Sequence, residues 1–362
     1  YNKAISLKPD YSGSYYNLGN AYKNQGKLDK AILNFKKAIS LKPDYVNAYY
    51  NSSYAYNLKG DLQNGLQLYE WRLKKKDTET RAPRKNLIWD GNKSIFGKNF
   101  LVYKEQGLGD IIQFCRYLPL LKQKGAEVTF KVQQKMHALL RTLDSDIILV
   151  DSYSDNEKVN FEAPLMSLPF LFNTNLETIP KNKAYLFADN HKVNLWSKRF
   201  SKANFKIGIC WQGSKSKIDF GRSFPLSLFK GISELADVEL ISLHKGEGEN
   251  QIKDVDFDLT TLGNDFDSGK DAFVDTAAVM TNCDLIITSD TATAHLAGAL
   301  GCRTWVVLKK VPDWRWMLDR KDSPWYPNMT LYRQIERGNW EYVFEKILED
   351  LQLLMKKEMR SK

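Results

Sequence analysis

The sequence predicts an α/β protein in which two Rossmann-like halves follow an all-α segment of helical repeats. The first 75 residues repeat themselves, which is typical of helical arrays. From residue 99 onward, short apolar runs alternate with helical stretches, as they do when parallel strands are covered by helices. The predicted units are repeats at 1–75, a linker at 76–98, a first half at 99–190, a second half at 191–335 and a closing helix at 336–362.

Composition narrows the class of protein. In 362 residues, 43% apolar and 12% aromatic side chains are enough for the cores of two or three domains. No apolar run approaches the roughly 20 residues that span a bilayer, and the N-terminus lacks the basic and then apolar pattern of a signal peptide. We therefore expect a cytoplasmic protein without a transmembrane segment.

Charge and cysteine placement bear on partners and cofactors. The formal net charge is +10, but lysines and arginines are interleaved with acids, so nucleic acid is not an expected partner. The 4 cysteines are far apart and form no C-x-x-C pair, which argues against a zinc site or a disulfide framework. We expect no metal and no cofactor.

The N-terminal segment repeats with a period of 34 residues, since Ala4–Tyr11 recurs as Ala38–Tyr45. The spacings Y-x-x-L-G-x-x-Y from residue 15 and A-x-x-x-F from residue 31, followed by Pro43, match the tetratricopeptide (TPR) pattern of paired helices. About two and a half units are present, fewer than the three that usually fold independently. We therefore expect this segment to pack on the α/β region.

A protein partner is possible through these repeats. Asn17 and Asn51 align with each other and resemble the asparagine rows that hold peptide backbone in the TPR superhelix of protein O-GlcNAc transferases. Most of the tyrosines are expected to pack between helices. Tyr1 aligns with Phe35, so the sequence opens within a repeat, and the number of preceding units is left open.

In the first half, strand, glycine turn and helix follow one another from residue 99. The turn is EQGLGD at 105–110, and the stretch 151–190 has little regular signal. We predict strands at 99–104, 128–130 and 146–150, and helices at 111–124 and 134–142.

The second half shows the same alternation. We predict strands at 206–211, 238–243, 284–287 and 304–308, and helices at 226–235, 273–281 and 292–300. Residues 340–357 form an amphipathic closing helix.

The stretch DLIITSDTATAHLAGALG at 284–301 is a strand, a polar turn and a small-residue helix. Free N–H groups at such a helix start can hold an anion beyond the carboxyl end of a strand, so a phosphate could bind here. The alternative is that Asp290 merely caps the helix of an ordinary βαβ unit.

Four motifs in order resemble glycosyltransferases of the GT-B fold, and especially the ADP-heptose:lipopolysaccharide heptosyltransferase family and its bacterial relatives with N-terminal TPRs. They are GLGDIIQFCRYLPLL, CWQGSKSKIDFGRSFPLSLF, the helix at Thr291 and PDWRWMLDRKDSPWYP. The resemblance implies a nucleotide-sugar donor on the second half and an acceptor on the first.

Carried over, the resemblance assigns residues to both substrates. The donor residues are Asp290, Thr291, Ala292, His295, Arg222, Gln212 and Gly213. The acceptor or sugar contacts are Gly107, Gly109, Gln113, Trp314 and Trp316. Two alternatives stay open: His295 could be a helix residue resting on the sheet, and the tryptophans could pack a long loop rather than stack on a sugar.

The resemblance places the catalytic base at Asp110, the acid of the G-L-G-D turn, with Glu105 as the next candidate. An inverting transfer needs such a carboxylate to take the proton of the acceptor hydroxyl. The alternative is that Asp110 only caps the helix that follows.

The leading hypothesis is an inverting, metal-independent glycosyltransferase that moves a sugar from a nucleotide-diphosphate donor to a glycan or protein acceptor. Arg222 and a helix N-terminus can neutralise the leaving diphosphate without a metal. The rivals are a nucleotide-sugar epimerase or hydrolase, and a TPR adaptor with an inactive domain. The repeats argue against a simple epimerase. The donor sugar, the base and the acceptor stay open.

Overall fold

The computed structural model describes residues 1–75, 82–154, 158–181, 183–202, 204–214 and 221–359. Parts of the predicted segments therefore lie outside the described residues: 76–81 of the linker, 155–157 and 182 of the stretch 151–190, 203 ahead of the predicted strand at 206–211, 215–220 of the CWQGSKSKIDFGRSFPLSLF motif, and 360–362 of the closing segment.

The repeat segment consists of antiparallel helices, as predicted. The helices are α1 (Asn2–Leu7), α2 (Ser12–Asn24), α3 (Leu28–Leu41), α4 (Val46–Lys59) and α5 (Leu62–Tyr69), and a 3₁₀ turn follows at Glu70–Lys74. Glycine sets the spacing of α2 and α3, because a Cβ on Gly19 would lie 2.7 Å from the ring of Phe35. Gly60 ends α4 in the left-handed region, with φ 94°.

The first half holds a parallel sheet of order β3-β2-β1-β4 within the described residues. Its elements are β1 (Asn99–Tyr103), α6 (Leu108–Phe114), α7 (Leu118–Gln123), β2 (Glu127–Lys131), α8 (His137–Leu140), β3 (Ile148–Val150), β4 (Phe161–Pro164) and α9 (Leu168–Leu171), with 3₁₀ turns at Cys115–Tyr117, Gln134–Met136 and Leu165–Ser167. Strand β1 is buried on both faces, as its apolar run predicts.

Two features of this half differ from the prediction. The helix predicted at 111–124 is broken into α6 and α7, because Pro119 lies in the first turn of α7 and has no N–H to continue the ladder. Strand β4 lies in the stretch that gave little regular signal. Its Glu162 is buried and paired with Arg84 of the linker, so a polar residue interrupts the expected apolar run.

The second half holds a parallel sheet of order β6-β5-β7-β8-β9 within the described residues. Its elements are α10 (Asn190–Ser197), β5 (Phe205–Cys210), α11 (Lys230–Ser233), β6 (Val238–Ser242), α12 (Val274–Thr281), β7 (Leu285–Ser289), α13 (Ala292–Ala299), β8 (Thr304–Leu308), β9 (Met329–Arg333) and α14 (Glu341–Met359), with 3₁₀ turns at Leu226–Phe229, Glu249–Asp254 and Trp314–Trp316. Neither β9 nor α10 was predicted. The fold class itself is confirmed.

The strand orders locate the sites at which ligands are expected. In the first sheet, β1 is followed in the chain by β2 on one side, while β4 lies on its other side. In the second sheet, β5 stands in the same relation to β6 and β7. Ligands of open parallel sheets bind beyond the carboxyl ends of the strands at such switch points. The β1/β4 and β5/β7 crevices are therefore where a site belongs.

The repeat segment packs on the α/β region, which confirms that expectation. A Cβ on Gly26 would lie 3.4 Å from Leu318 and 3.5 Å from Val311, and Arg337 donates a hydrogen bond of 2.9 Å to the carbonyl oxygen of Asn24. The described part of the linker is also packed, since Trp89 is buried edge-on against Phe100, with ring centroids 5.6 Å apart. None of the described helices has the length and apolar composition that a membrane span requires.

Candidate active site

The two halves meet where the helices α6 and α13 begin. A Cβ placed on Gly109 would lie 2.9 Å from Cδ2 of His295 and 3.4 Å from Cα of Ala292. Only a glycine allows this approach, because Cβ contacts under 3.0 Å do not occur without a shift of one partner. The turn after β1 and the turn after β7, at the two switch points, therefore face each other directly.

Asp110 uses both carboxylate oxygens in this arrangement. Oδ2 accepts a hydrogen bond of 2.8 Å from the N–H of Gly107, and Oδ1 accepts one from Nη2 of Arg315. Burial raises the pKa of Asp110, while Arg315 and the Gly107 N–H oppose that rise. Asp110 thus caps α6, as the alternative held, and it also faces the cleft with a charged partner.

Arg315 is the centre of the polar network, and the sequence analysis did not single it out. Its Nε donates to Oε1 of Gln113 at 2.7 Å, and its Nη1 donates to Oδ1 of Asp313 at 2.7 Å. The guanidinium is buried and lies 4.6 Å from the ring centroid of Trp314. The motif PDWRW places this arginine between two tryptophans, and only the tryptophans were predicted as site residues.

On the donor side, the predicted residues follow neighbouring strands at one edge of the sheet. Gln212 and Gly213 follow β5, while Asp290, Thr291 and Ala292 follow β7. Thr291 is the N-cap of α13, and no side chain caps this helix within the described residues. The alternative that Asp290 only caps the helix is therefore wrong, and the first N–H groups of α13 are open to an anion.

The carboxyl group of Asp290 is half-buried and lies among charged groups that shift its pKa in opposite directions. Burial, and to a smaller extent Asp313, raise its pKa to about 6, against the opposing effects of Trp316, Arg222 and Arg315. The indole N–H of Trp316 lowers the pKa of Asp290, but its Nε1 does not meet the geometry of a hydrogen bond to the carboxylate. A carboxyl group in this state gains or loses a proton near neutral pH.

Two cations accompany Asp290. The guanidinium of Arg222 packs over Gly213, where a Cβ would lie 2.6 Å from Nη2. Lys309 directly follows β8, next to β7, and burial lowers its pKa while Asp290 and Asp313 raise it. Lys309 was not among the residues predicted from the sequence, although its position at the carboxyl end of a predicted strand indicates a place in the site.

His295 belongs to the packing rather than to an anion site. Its Nδ1 shares a hydrogen bond of 2.9 Å with the hydroxyl of Tyr326, and its ring stacks on Trp316 at 5.3 Å. Burial lowers its pKa well below the usual value, and Arg315 and Arg116 add to that effect. The side chain is therefore neutral and packed in the interior, as the alternative held, while a contact with the donor stays a prediction.

The expectation that Trp314 and Trp316 offer their faces to a sugar is wrong in this structure. Both indoles are buried, with 1% and 0% of their surface exposed. Trp314 packs between Phe114 and Trp325, with ring centroids 6.4 and 6.0 Å away. A sugar could reach either ring only after the loop had moved, so these residues fill the space between the halves and the repeats.

Glu105 is also unavailable as an alternative base. Its side chain is fully buried and forms a two-pronged ion pair with Arg72, with oxygen–nitrogen distances of 2.9 and 2.7 Å. A carboxylate held in this way cannot take a proton from a substrate. Asp110 therefore remains as the candidate base in the G-L-G-D turn.

Several buried polar atoms around the cleft have no hydrogen-bond partner among the described residues. Buried groups of this kind are rare in folded proteins and are commonly satisfied by water or a ligand. They are Nε2 of Gln113, Nε2 of Gln212, Oγ of Ser289 and Nε1 of Trp316. The residues from both switch points are therefore equipped to bind a polar molecule.

Comparison with known proteins agrees with this architecture. The tetratricopeptide repeat family model matches residues 13–45. Protein FlbA of Caulobacter vibrioides is 24% identical over 374 residues, which cover 94% of this chain and 61% of that protein, so the chain spans about three-fifths of its relative's length.

Solved structures show the fold of the α/β region. A glycosyl transferase family 9 protein from Veillonella parvula matches with a TM-score of 0.53 at 13% identity, covering 74% of this chain and 99% of that one. ADP-heptose lps heptosyltransferase II from E. coli matches with a TM-score of 0.50 at 11% identity, covering 72% and 99%. The chain thus joins a TPR segment to a glycosyltransferase-like fold of two parallel sheets, as predicted.

Proposed function

We propose that this chain is a glycosyltransferase that holds a nucleotide-diphosphate sugar on its second half and activates an acceptor hydroxyl with Asp110 of its first half. One observation carries the proposal. The uncapped N-terminus of α13 lies directly against the turn that carries Asp110, with only Gly109 between them. A diphosphate on α13 would thus place the anomeric carbon of its sugar within reach of Asp110.

The donor side supplies positive charge to the leaving diphosphate. The N–H groups of Ala292 and Thr293 open α13, Arg222 packs beside the β5 turn, and Lys309 ends β8. A guanidinium binds a phosphate in bidentate fashion, and preorganised positive groups stabilise the charge that develops in the transition state. We therefore propose a reaction that needs no metal ion.

The acceptor side requires a free carboxylate, and Arg315 controls it. In this structure Arg315 binds Asp110 and Asp313, and it also lowers the pKa of Asp290. A diphosphate on α13 would compete for the guanidinium. Asp110, released from Arg315, can then take the proton of an acceptor hydroxyl on the face opposite to the leaving group, which is the geometry of inversion.

The acceptor is a glycan or a protein, and the repeats are the part of the chain suited to a protein partner. Asn17 is exposed, whereas Asn51 already donates hydrogen bonds to Tyr16 and Asn20 at 2.8 and 2.9 Å. Asn17 is therefore the one of the two asparagines whose side chain is better placed to meet a partner.

A second candidate function is a binding protein that retains the fold without the chemistry. The observation that favours it is the engagement of both oxygens of Asp110, since a paired carboxylate is a poor base. On this hypothesis a nucleotide sugar would bind and would not be turned over.

Screening nucleotide sugars by thermal shift tests the proposal and separates the two candidates. A ligand at 100 times its Kd stabilises the folded state by about 2.7 kcal/mol, which a melting curve detects. We expect one donor to raise the melting temperature and to release its nucleoside diphosphate when an acceptor is added. Stabilisation without release would favour the binding protein, and no stabilisation by any nucleotide sugar would contradict both.

A further inference from the structure

The repeat segment reaches into the first switch-point crevice. Glu105 follows β1 and Ser167 follows β4, and both contact the turn that ends the repeats. Nη2 of Arg72 donates to Oε2 of Glu105 and to Oγ of Ser167, each at 2.7 Å, and Oγ of Ser167 donates to Oε2 of Glu70 at 2.7 Å. The crevice in which a parallel sheet binds its ligand is thus partly filled by the repeats.

Tyr69, the last residue of α5, holds the residue after Glu105. Gln106 has a φ of 52°, in the left-handed region that side chains other than glycine rarely adopt. Its Nε2 donates a hydrogen bond of 2.7 Å to the hydroxyl of Tyr69. Such a backbone conformation persists only where the surroundings hold it, and here Tyr69 is one of the groups that hold it.

Glu105 and Gln106, which the repeats hold in place, belong to the same turn as Asp110. Glu105 is fixed by Arg72 and by the N–H of Met166 at 3.1 Å, and Gln106 is fixed by Tyr69. The next residue, Gly107, donates its N–H to Asp110. The direction of the Asp110 carboxylate is therefore set by a chain of contacts that begins in the repeats.

We propose that Tyr69 and Arg72 are positioning residues for Asp110, so that the last turn of the repeats is a built-in part of the catalytic site. The proposal rests on the proposed function for its kinetic consequences, because it assigns Asp110 the role of base. It goes beyond a docking role for the repeats, since a partner that shifts this segment would alter the rate of transfer.

The first test compares two variants that each lose one buried phenol hydroxyl. Tyr69→Phe keeps the ring and removes the hydroxyl that accepts from Gln106. Tyr117→Phe is the matched control, because its hydroxyl shares a hydrogen bond of 2.9 Å with Thr174, which lies outside the 105–110 turn. We expect Tyr69→Phe to lower kcat about ten-fold with KM for the donor within about two-fold of the parent, because misplacement of a catalytic group affects the chemical step.

A second variant tests Arg72 and removes Glu105 together with it, so that only Glu70, whose side chain is partly exposed, loses its cation. Removing Arg72 by itself would strand Glu105, which strongly destabilises a protein, so both are replaced in Arg72→Met/Glu105→Met. Hydrogen exchange of the amides at 104–112 is measured for the parent and for each variant. We expect faster exchange in this segment for Tyr69→Phe and for the double variant, and parental exchange for Tyr117→Phe.

The outcomes separate this inference from the proposed function. Parental kcat and parental exchange at 104–112 in both variants would overturn the positioning role while leaving the glycosyltransferase proposal intact. A parent that transfers no sugar from any donor contradicts the proposed function. In that case exchange alone decides: faster exchange supports the hold of the repeats on this turn, and unchanged exchange overturns it.

Discussion

Replacing Gly109 by alanine tests the contact between the two halves. The new Cβ would lie 2.9 Å from Cδ2 of His295 and 3.4 Å from Cα of Ala292. Carbon atoms pack at about 3.5–4.0 Å, so the ring of His295 or the two helices α6 and α13 must shift by roughly 0.6–1.1 Å. Because overpacking costs about 1–3 kcal/mol and a misplacement of about 1 Å can cost 10²-fold in rate, both stability and turnover should fall.

The assay measures release of nucleoside diphosphate and the free energy of unfolding in urea. We expect Gly109→Ala to lose about 10–100-fold in kcat and about 1–3 kcal/mol in stability. The matched control is Gly107→Ala in the same turn, since a Cβ there would meet only Oδ2 of Asp110, at 3.4 Å. The control should transfer sugar about ten-fold faster than Gly109→Ala. Parental rate and stability in Gly109→Ala would refute the close approach of the two turns.

Two further predictions concern the donor side. Arg222→Ala should weaken binding of the preferred nucleotide sugar by about ten-fold or more, since a charge-assisted contact contributes about 1.5–3 kcal/mol, and unchanged affinity in calorimetry would remove Arg222 from the site. Affinity for that nucleotide sugar should rise as the pH falls from 8 to 6, because burial raises the pKa of Asp290 to about 6 and a diphosphate favours its protonated form. The diphosphate diester does not titrate in this range, so Asp290→Asn should abolish the dependence, and a slope that persists in this variant would assign the proton to another group.

The sequence predicted most of the fold because its strands are continuous apolar runs. Strands β1, β5, β7 and β8 are buried on both faces, and a parallel sheet requires that pattern. Strand β4 escaped prediction because its Glu162 is buried with a charged partner from the linker, so that its polarity resembled a loop. The break between α6 and α7 follows from Pro119, which the helical periodicity of the surrounding apolar residues concealed.

The site was predictable only in part. Asp110, Thr291 and Ala292 follow strands, and the rule that ligands bind at carboxyl ends points to them from the sequence. Arg315 and Asp110 are 205 residues apart, and Arg72 and Glu105 are 33 apart, so their pairing depends on how the three segments dock. The burial of Trp314 and Trp316 follows from the same docking, and no local pattern in the sequence distinguishes a packed tryptophan from an exposed one.

The catalytic role of Asp110 is tested most directly by Asp110→Asn, because asparagine can still cap α6 and cannot accept the proton. The measurement is kcat for sugar transfer together with the Kd of the donor. Loss of a general base costs about 10²–10⁴ in rate, so we predict a fall of that size with donor affinity within about two-fold of the parent. Transfer at near the parental rate would contradict the account, since Asp110 would then be a helix cap alone.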